Sequence, residues 1–137
     1  MFHPWRALRR LGHVALDWSR PHPATPGATN GIDMIWLDPR LNQVERRCVL
    51  THELVHLEHG HTSCQPPAIE HTVRTETARR LIGLDRLIQA LPWAMSPAEL
   101  ADELWVTELV LMDRLRTLTE LERTTILARH EDTPQNP

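Results

Sequence analysis

Two short stretches near the start of the chain, residues 13–18 and 32–37, combine apolar and aromatic residues in the manner of β-strands. Residues 20–31 between them are rich in proline and glycine, which predicts a loop. Two strands joined by a loop predict a hairpin or a small antiparallel sheet in this part of the chain.

A long helix is predicted next, over residues 44–59. Asn42 and Glu45 have the spacing of a capping box, with Asn in place of the usual Ser or Thr. Gly60 follows the last helical residue and suits the position just beyond a helix end. Apolar residues lie nearly all round this helix, which is typical of a helix buried in a core.

The rest of the chain has helical patterns. Residues 66–82 begin with two prolines and end before a glycine, which predicts a second helix. Residues 85–130 are predicted to be helical throughout, with capping signals at Ser96 with Glu99, at Thr107 and at Thr119 with Glu122. The predicted fold class is therefore α+β and mostly helical. We expect a core over residues 1–84, a helical subdomain over 85–130 packed on it, and a frayed tail over 131–137.

Composition narrows the function classes. The chain has 137 residues, which suits a single domain, and a net charge of -3, which argues against nucleic acid as the main partner. Its two cysteines form no CxxC pair, and no apolar run approaches the roughly 20 residues that a membrane span needs. With no apolar leader at its start, the chain is expected to be soluble and cytoplasmic, in a reducing compartment.

The predicted buried helix contains the sequence His52-Glu53-Leu54-Val55-His56, which matches H-E-x-x-H. Residues four apart lie one turn apart on the same helix face, so both imidazoles can reach one ion. Zinc prefers nitrogen ligands and keeps one position open when it is catalytic. Glu53 would then be placed to activate a water as a general base. Two His and a Glu in an apolar helix would be costly without partners, which favours a metal over a chance motif.

A third ligand is required, and we expect it from the second helix. The long metzincin motif fails, because His59 and Thr62 occupy its glycine and histidine positions. His59 and His61 are interpreted as surface residues or as groups that support the ligands from behind.

The candidates on the second helix are Glu70, His71 and Glu76. Glu70 falls near the middle of the apolar face of that helix, Glu76 falls at its edge, and His71 points away. A carboxylate inside an apolar stripe should have a partner, so Glu70 is the preferred ligand. An ion pair between Glu70 and Arg74, one turn later, is the alternative.

Several segments together resemble a known family, the ImmA/IrrE-type zinc metallopeptidases, in the short form found in phages and actinobacterial genomes. The likeness covers about residues 32–118 and is carried by MIWLD at 34–38, ERRC at 45–48, THELVH at 51–56, EHTV at 70–73, ARRLI at 78–82, ADELWV at 101–106 and Arg114-Leu115. Larger members have a Leu-Leu-Met-Pro-like turn after the second helix, whereas this chain has Leu81-Ile82-Gly83-Leu84.

The resemblance implies a zincin-like core with a gluzincin-like site, in which His52, His56 and Glu70 hold Zn²⁺ and Glu53 is catalytic. It also implies proteolysis of a regulatory protein, such as a repressor that controls a mobile element. Many zinc peptidases stabilise the developing oxyanion with a Tyr, His or Arg. This chain has no tyrosine, so a histidine (59, 61 or 71) or an arginine would take that role.

Residues 96–118 have the pattern of a helix-turn-helix, with Ala101 for close packing, Val106 in the turn, and Leu111 and Leu115 facing inward. The second helix of this pair carries charges of both signs, at Glu108, Asp113, Arg114 and Arg116, so it lacks the basic face of a DNA reader. We therefore favour a subdomain that completes the core or binds substrate.

Two function classes remain from the sequence: a zinc-dependent protease, and a non-catalytic, zinc-stabilised regulator that binds DNA or a partner protein. Glu53 discriminates between them, because a purely structural zinc site needs no general base beside it.

Overall fold

A computed structural model describes residues 1–20, 22–62 and 65–132, and within them the chain is α+β, as predicted. Its three strands are β1 (Ala15–Asp17), β2 (Gly27–Thr29) and β3 (Met34–Leu37). Its seven α-helices are α1 (Pro4–Arg10), α2 (Gln43–Glu58), α3 (Pro67–Leu81), α4 (Leu84–Ala90), α5 (Pro97–Leu104), α6 (Glu108–Arg116) and α7 (Glu120–Asp132). A short 3₁₀ turn at Leu91–Trp93 follows α4.

The three strands form one sheet with β3 in the centre. The predicted antiparallel pairing is wrong: β1 and β3, which correspond to the two predicted strands, run parallel, with Ala15 opposite Met34. The antiparallel partner of β3 is β2, which lies inside the predicted loop. The Asn30 side-chain oxygen accepts hydrogen bonds from the backbone N–H groups of residues 32–34, at 2.9–3.0 Å, and so forms the turn between β2 and β3.

Helix α2 begins and ends as predicted. The Asn42 side chain accepts from the Glu45 N–H, and the Glu45 carboxylate accepts from the Asn42 N–H, which completes the capping box. Gly60 has a φ of +69°, the left-handed conformation that glycine adopts at least cost beyond a helix. One side of α2 packs on the sheet through Leu50 and Leu54, and the helix is buried nearly all round.

In the helical end of the chain, after residue 85, the helices begin at the predicted capping residues. Thr119 and Glu122 form a complete capping box at the start of α7. At α5 only half of the predicted box forms: Ser96 accepts from the Glu99 N–H, but the Glu99 carboxylate accepts from the Met95 N–H instead. Residues 131–132, predicted to be frayed, belong to α7, and the rest of the predicted tail lies outside the described residues.

Helices α5 and α6 form the predicted helix-turn-helix-like pair, capped at α6 by Thr107. Ala101 and Leu111 are buried, as expected, and Leu115 is half-buried against the same core. Val106, between the two helices, is buried as well. Between the helices, Trp105 has a φ of 59° and a ψ of 43°. This left-handed conformation costs a side chain other than glycine on the order of 1 kcal/mol.

The largest cluster of buried apolar residues joins α2 and α3 to the later helices. Its members come from both sides of Gly83: Cys48, Ala78, Leu81, Ile82, Leu87, Ala90, Leu100, Ala101, Leu104, Val106, Val110, Leu111 and Ile126. A buried ion pair reinforces this junction, because Arg114 donates to the Ile82 carbonyl and to Glu122. In the described part of the chain, no helix is both long enough and apolar enough to cross a membrane.

Candidate metal centre

Helices α2 and α3 bring together the three residues that the sequence suggested as metal ligands. His52 and His56 lie one turn apart on α2, and Glu70 lies in the first turn of α3. The two Nε2 atoms are 3.2 Å apart. A Glu70 carboxylate oxygen lies 3.1 Å from the His56 Nε2, and the other lies 3.4 Å from the His52 Nε2. The group could therefore hold a metal ion.

The spacing of these atoms fits zinc. Four ligands placed tetrahedrally at 2.0–2.1 Å from one ion are separated from each other by about 3.3–3.4 Å. The same distances also suit hydrogen bonds in which an imidazole N–H donates, so they fit an ion without requiring one. Access is one-sided, because the His56 side chain is 8% exposed while those of His52 and Glu70 are 26% and 35% exposed. A metal ion held by these three residues would therefore keep a fourth position toward solvent.

Both histidines are held in the form that binds metals. Burial lowers the pKa of His52, and the nearby His56 lowers it further. Burial is also the main cause of the lowered pKa of His56, against the opposing charge of Glu70. A neutral imidazole offers a lone pair to an ion, whereas the protonated ring offers none.

His56 is supported from behind by His61, whose Nδ1 lies 2.9 Å from the Nδ1 of His56. If the His56 Nε2 binds an ion, its Nδ1 carries the proton and donates to His61, which fixes the ring. The loop that carries His61 is itself closely packed: a Cβ added at Gly31 would lie 2.4 Å from the His61 carbonyl oxygen. Gly31 is thus a positioning residue that sequence reasoning missed, although the dipeptide Asn30-Gly31 is a strong turn signal.

The alternative ligands lie elsewhere. Glu76 accepts a hydrogen bond from the His59 ring, at 2.8 Å, and another from Arg80. These contacts, above all that with His59, lower the pKa of Glu76. His71 is exposed and lines a separate depression on α3 together with Thr72 and Thr75. The structure thus brings Glu70, and neither Glu76 nor His71, to the two histidines.

The surroundings of Glu70 differ from the expectation in one respect. Its side chain is 35% exposed and not buried in an apolar stripe, because the first turn of α3 extends past the core and leaves Ile69 exposed as well. Arg74, which the sequence offered as an ion-pair partner for Glu70, instead makes a bidentate ion pair with Asp113, at 2.7 and 3.1 Å. Glu70 is therefore open to both the cluster and solvent.

Glu53 lies beside this group and is itself buried, with 7% of its surface exposed. Burial, and secondarily repulsion by Glu70, raises its pKa to about 8. No hydrogen-bond donor or cation among the described residues offsets that effect. A cation in the cluster would lower the pKa again. The structure thus places a buried carboxyl group next to a cluster that could hold a metal ion.

Arg47 is a second residue that sequence reasoning missed. It is buried on α2, and its guanidinium donates to the backbone carbonyls of Trp105, Phe2 and Leu81, at 2.6–3.5 Å. It therefore fixes α2, and with it the two histidines, against three distant parts of the chain. The only available signal was an arginine in a helix that is otherwise apolar nearly all round.

Comparison with known proteins gives no match: no protein-family model, no curated protein and no solved structure matches this chain. The family resemblance of the sequence therefore rests on the motifs of this chain alone. The function has to be argued from the site.

Proposed function

We propose that this protein is a zinc-dependent metallopeptidase that hydrolyses a peptide bond in a regulatory protein, such as the repressor of a mobile element. The proposal rests on one observation. His52, His56 and Glu70 converge, and Glu53 is buried beside them with no cation or hydrogen-bond donor from the described residues. A zinc site with only a structural role is closed by four protein ligands and needs no buried carboxylate next to it.

When bound, zinc would polarise the scissile carbonyl and lower the pKa of a water toward about 7. Glu53 supplies the proton acceptor, taking a proton from the attacking water and later giving it to the leaving amine. Burial raises the pKa of Glu53, and a cation in the cluster would lower it again, so both the accepting and the returning step fall on a carboxylate next to the metal position.

Arg74 is the arginine that we propose for oxyanion stabilisation. Its positive charge is a minor contribution to the lowered pKa of His52, after burial and His56, which places Arg74 within electrostatic range of the cluster. It lies one turn after Glu70, and its side chain is 41% exposed. The ion pair with Asp113 holds the guanidinium in place while leaving part of it free for a substrate carbonyl.

The second candidate is a non-catalytic, zinc-stabilised regulator that binds DNA or a protein through α5 and α6. The helix-turn-helix-like pair favours it, and so does Leu109, which is 62% exposed on α6. Arg114 argues against DNA binding. Its guanidinium is buried and paired with Glu122, so it does not contribute to a basic surface. We therefore rank the peptidase first.

The first experiment tests the metal. Elemental analysis of purified protein should find about one zinc per chain, and His56→Ala should abolish it. No zinc in the wild type, and no uptake on titration with zinc, would exclude both candidates.

The second experiment tests the reaction with Glu53→Gln, which keeps the size of the side chain and removes the base. The variant should fold and bind zinc, while cleavage of a repressor encoded beside this protein should fall at least about a hundredfold. The exposed Glu103 provides a matched control, and Glu103→Gln should cleave like the wild type. Equal cleavage by the Glu53 variant would refute the mechanism.

A further inference from the structure

A second site lies at the other end of α2, in a groove of about 610 Å³ between α1, the end of β1, the start of α2 and the turn after α5. On α2, Arg46 in this groove precedes His52 by six residues, a rise of about 9 Å along the helix. Neither a metal ligand nor Glu53 is among the described residues that line it. The groove is therefore separate from the candidate metal centre.

Three indoles line the groove, from Trp5, Trp18 and Trp105. The rings of Trp5 and Trp18 stack with their centroids 5.9 Å apart, and Trp18 is still 44% exposed. Trp105 is 54% exposed and has the left-handed backbone conformation that favours glycine. Core packing does not explain a half-exposed tryptophan at a position that glycine would occupy more easily. Its indole is better explained by contact with a ligand.

The charges of the groove have one sign. Four arginines line it, Arg6, Arg9, Arg46 and Arg47, and no aspartate or glutamate is among its described lining residues. The Arg46 guanidinium lies 5.0 Å from the centre of the Trp18 ring, and its buried Nε has no hydrogen-bond acceptor among the described residues. Arg6 and Arg9 are exposed, so their guanidinium groups are open to a ligand that carries negative charge.

We propose that this groove binds an acidic segment of a partner protein, with carboxylates on Arg6, Arg9 and Arg46 and apolar side chains on the indoles. A nucleic acid fits less well. Trp18 is already stacked on Trp5 and covered by Arg46, so its ring is a poor platform for stacking a base. The proposal does not depend on the metal centre and holds for either candidate function.

The test is fluorescence anisotropy of the full chain with three labelled probes. The first is a 12-residue peptide in which glutamates alternate with leucine and phenylalanine, the second is the same peptide with lysine for glutamate, and the third is a 12-nucleotide oligothymidylate. The acidic peptide should bind most tightly. The double variant Arg6→Glu/Arg9→Glu should weaken that binding at least tenfold, whereas Arg10→Glu, on the same helix but outside the groove lining, should change it less than twofold.

The variant Trp105→Gly distinguishes a loss of peptide binding from a loss of folding. Glycine adopts the left-handed conformation freely and keeps the carbonyl that accepts from Arg47, so the melting temperature should stay the same or rise. Binding of the acidic peptide should nevertheless fall at least fivefold. Three results would overturn the proposal: equal binding of the lysine peptide, tighter binding of oligothymidylate, or an Arg10→Glu effect as large as that of the double variant.

Discussion

Replacement of Glu122 by glutamine should weaken the junction between the helical end and the rest of the chain. One Glu122 oxygen accepts from Arg114, at 2.6 Å, and the other accepts from Arg79, at 2.9 Å, and from the Thr119 N–H. Glu122 and Arg114 are 8% and 2% exposed. The substitution would therefore leave a buried guanidinium without its counter-charge.

The expected loss can be worked from the titration of this group. The hydrogen bond with Arg114, as the main cause and against the opposing effect of burial, lowers the pKa of Glu122 from an ordinary 4.5 to about 2. At about 1.4 kcal/mol per pKa unit, that shift corresponds to about 3 kcal/mol. Because Arg79 is 39% exposed, water screens part of this energy, and we expect a loss of about 2 kcal/mol at pH 7.

The pH dependence follows from the sign of the shift. A folded-state pKa below the unfolded value gives stability that is fully present above pH 4.5 and is lost as the pH falls toward 2. The gap in unfolding free energy between wild type and Glu122→Gln should therefore be widest near neutral pH and shrink between pH 4.5 and 2.

Urea unfolding of metal-free protein at several pH values measures that gap. Glu120→Gln, at an exposed site on the same helix, is the control and should change the free energy of unfolding by less than about 0.5 kcal/mol. A gap of less than about 0.5 kcal/mol at pH 7, or one that widens toward pH 2, would refute the reasoning.

Three further predictions concern the site and its surroundings. Glu70→Gln should weaken zinc binding at least about a hundredfold and Glu76→Gln less than tenfold, and the reverse order in a zinc-competition assay would contradict our choice of ligand. Gly31→Ala should lower the free energy of unfolding by more than about 1 kcal/mol, because φ is +74° and the new Cβ would meet the His61 carbonyl. Gly83→Ala, where φ is -66° and nothing lies within 4 Å, should change it by less than that. DNA binding, measured by anisotropy, should be weak and strongly salt-dependent, and tight sequence-specific binding at physiological salt would favour the regulator.

The helices could be predicted from the sequence because their signals are local. The capping boxes at Asn42 and Thr119 and the glycine at position 60 each act within a few residues, and all three form as expected. The position of Glu70 opposite the two histidines followed from helix periodicity, which is also local. Its exposure did not follow, because it depends on how far α3 extends beyond the core.

The sheet could not be predicted in the same way. A strand pattern shows which residues extend, but the direction of pairing depends on the path of the connection. Here residues 18–33 are long enough both to return the chain for a parallel pairing and to contribute β2. The three-residue strand β2, Gly-Ala-Thr, has no apolar alternation to reveal it. The one sequence signal for a hairpin at this point was the turn-forming pair Asn30-Gly31, which follows directly after β2.

The apolar cluster contains residues from before and after Gly83 in the sequence, so dividing the chain at that glycine would split one core between two fragments. If residues 1–82 and residues 84–137 were produced separately, each fragment would expose to water the apolar residues that it contributes to this core. We expect either fragment to aggregate by itself and the two to recover a soluble complex when co-expressed. Because His52, His56 and Glu70 all lie in the first fragment, zinc binding that is recovered only on co-expression would show that α2 and α3 need the later helices to hold these residues together.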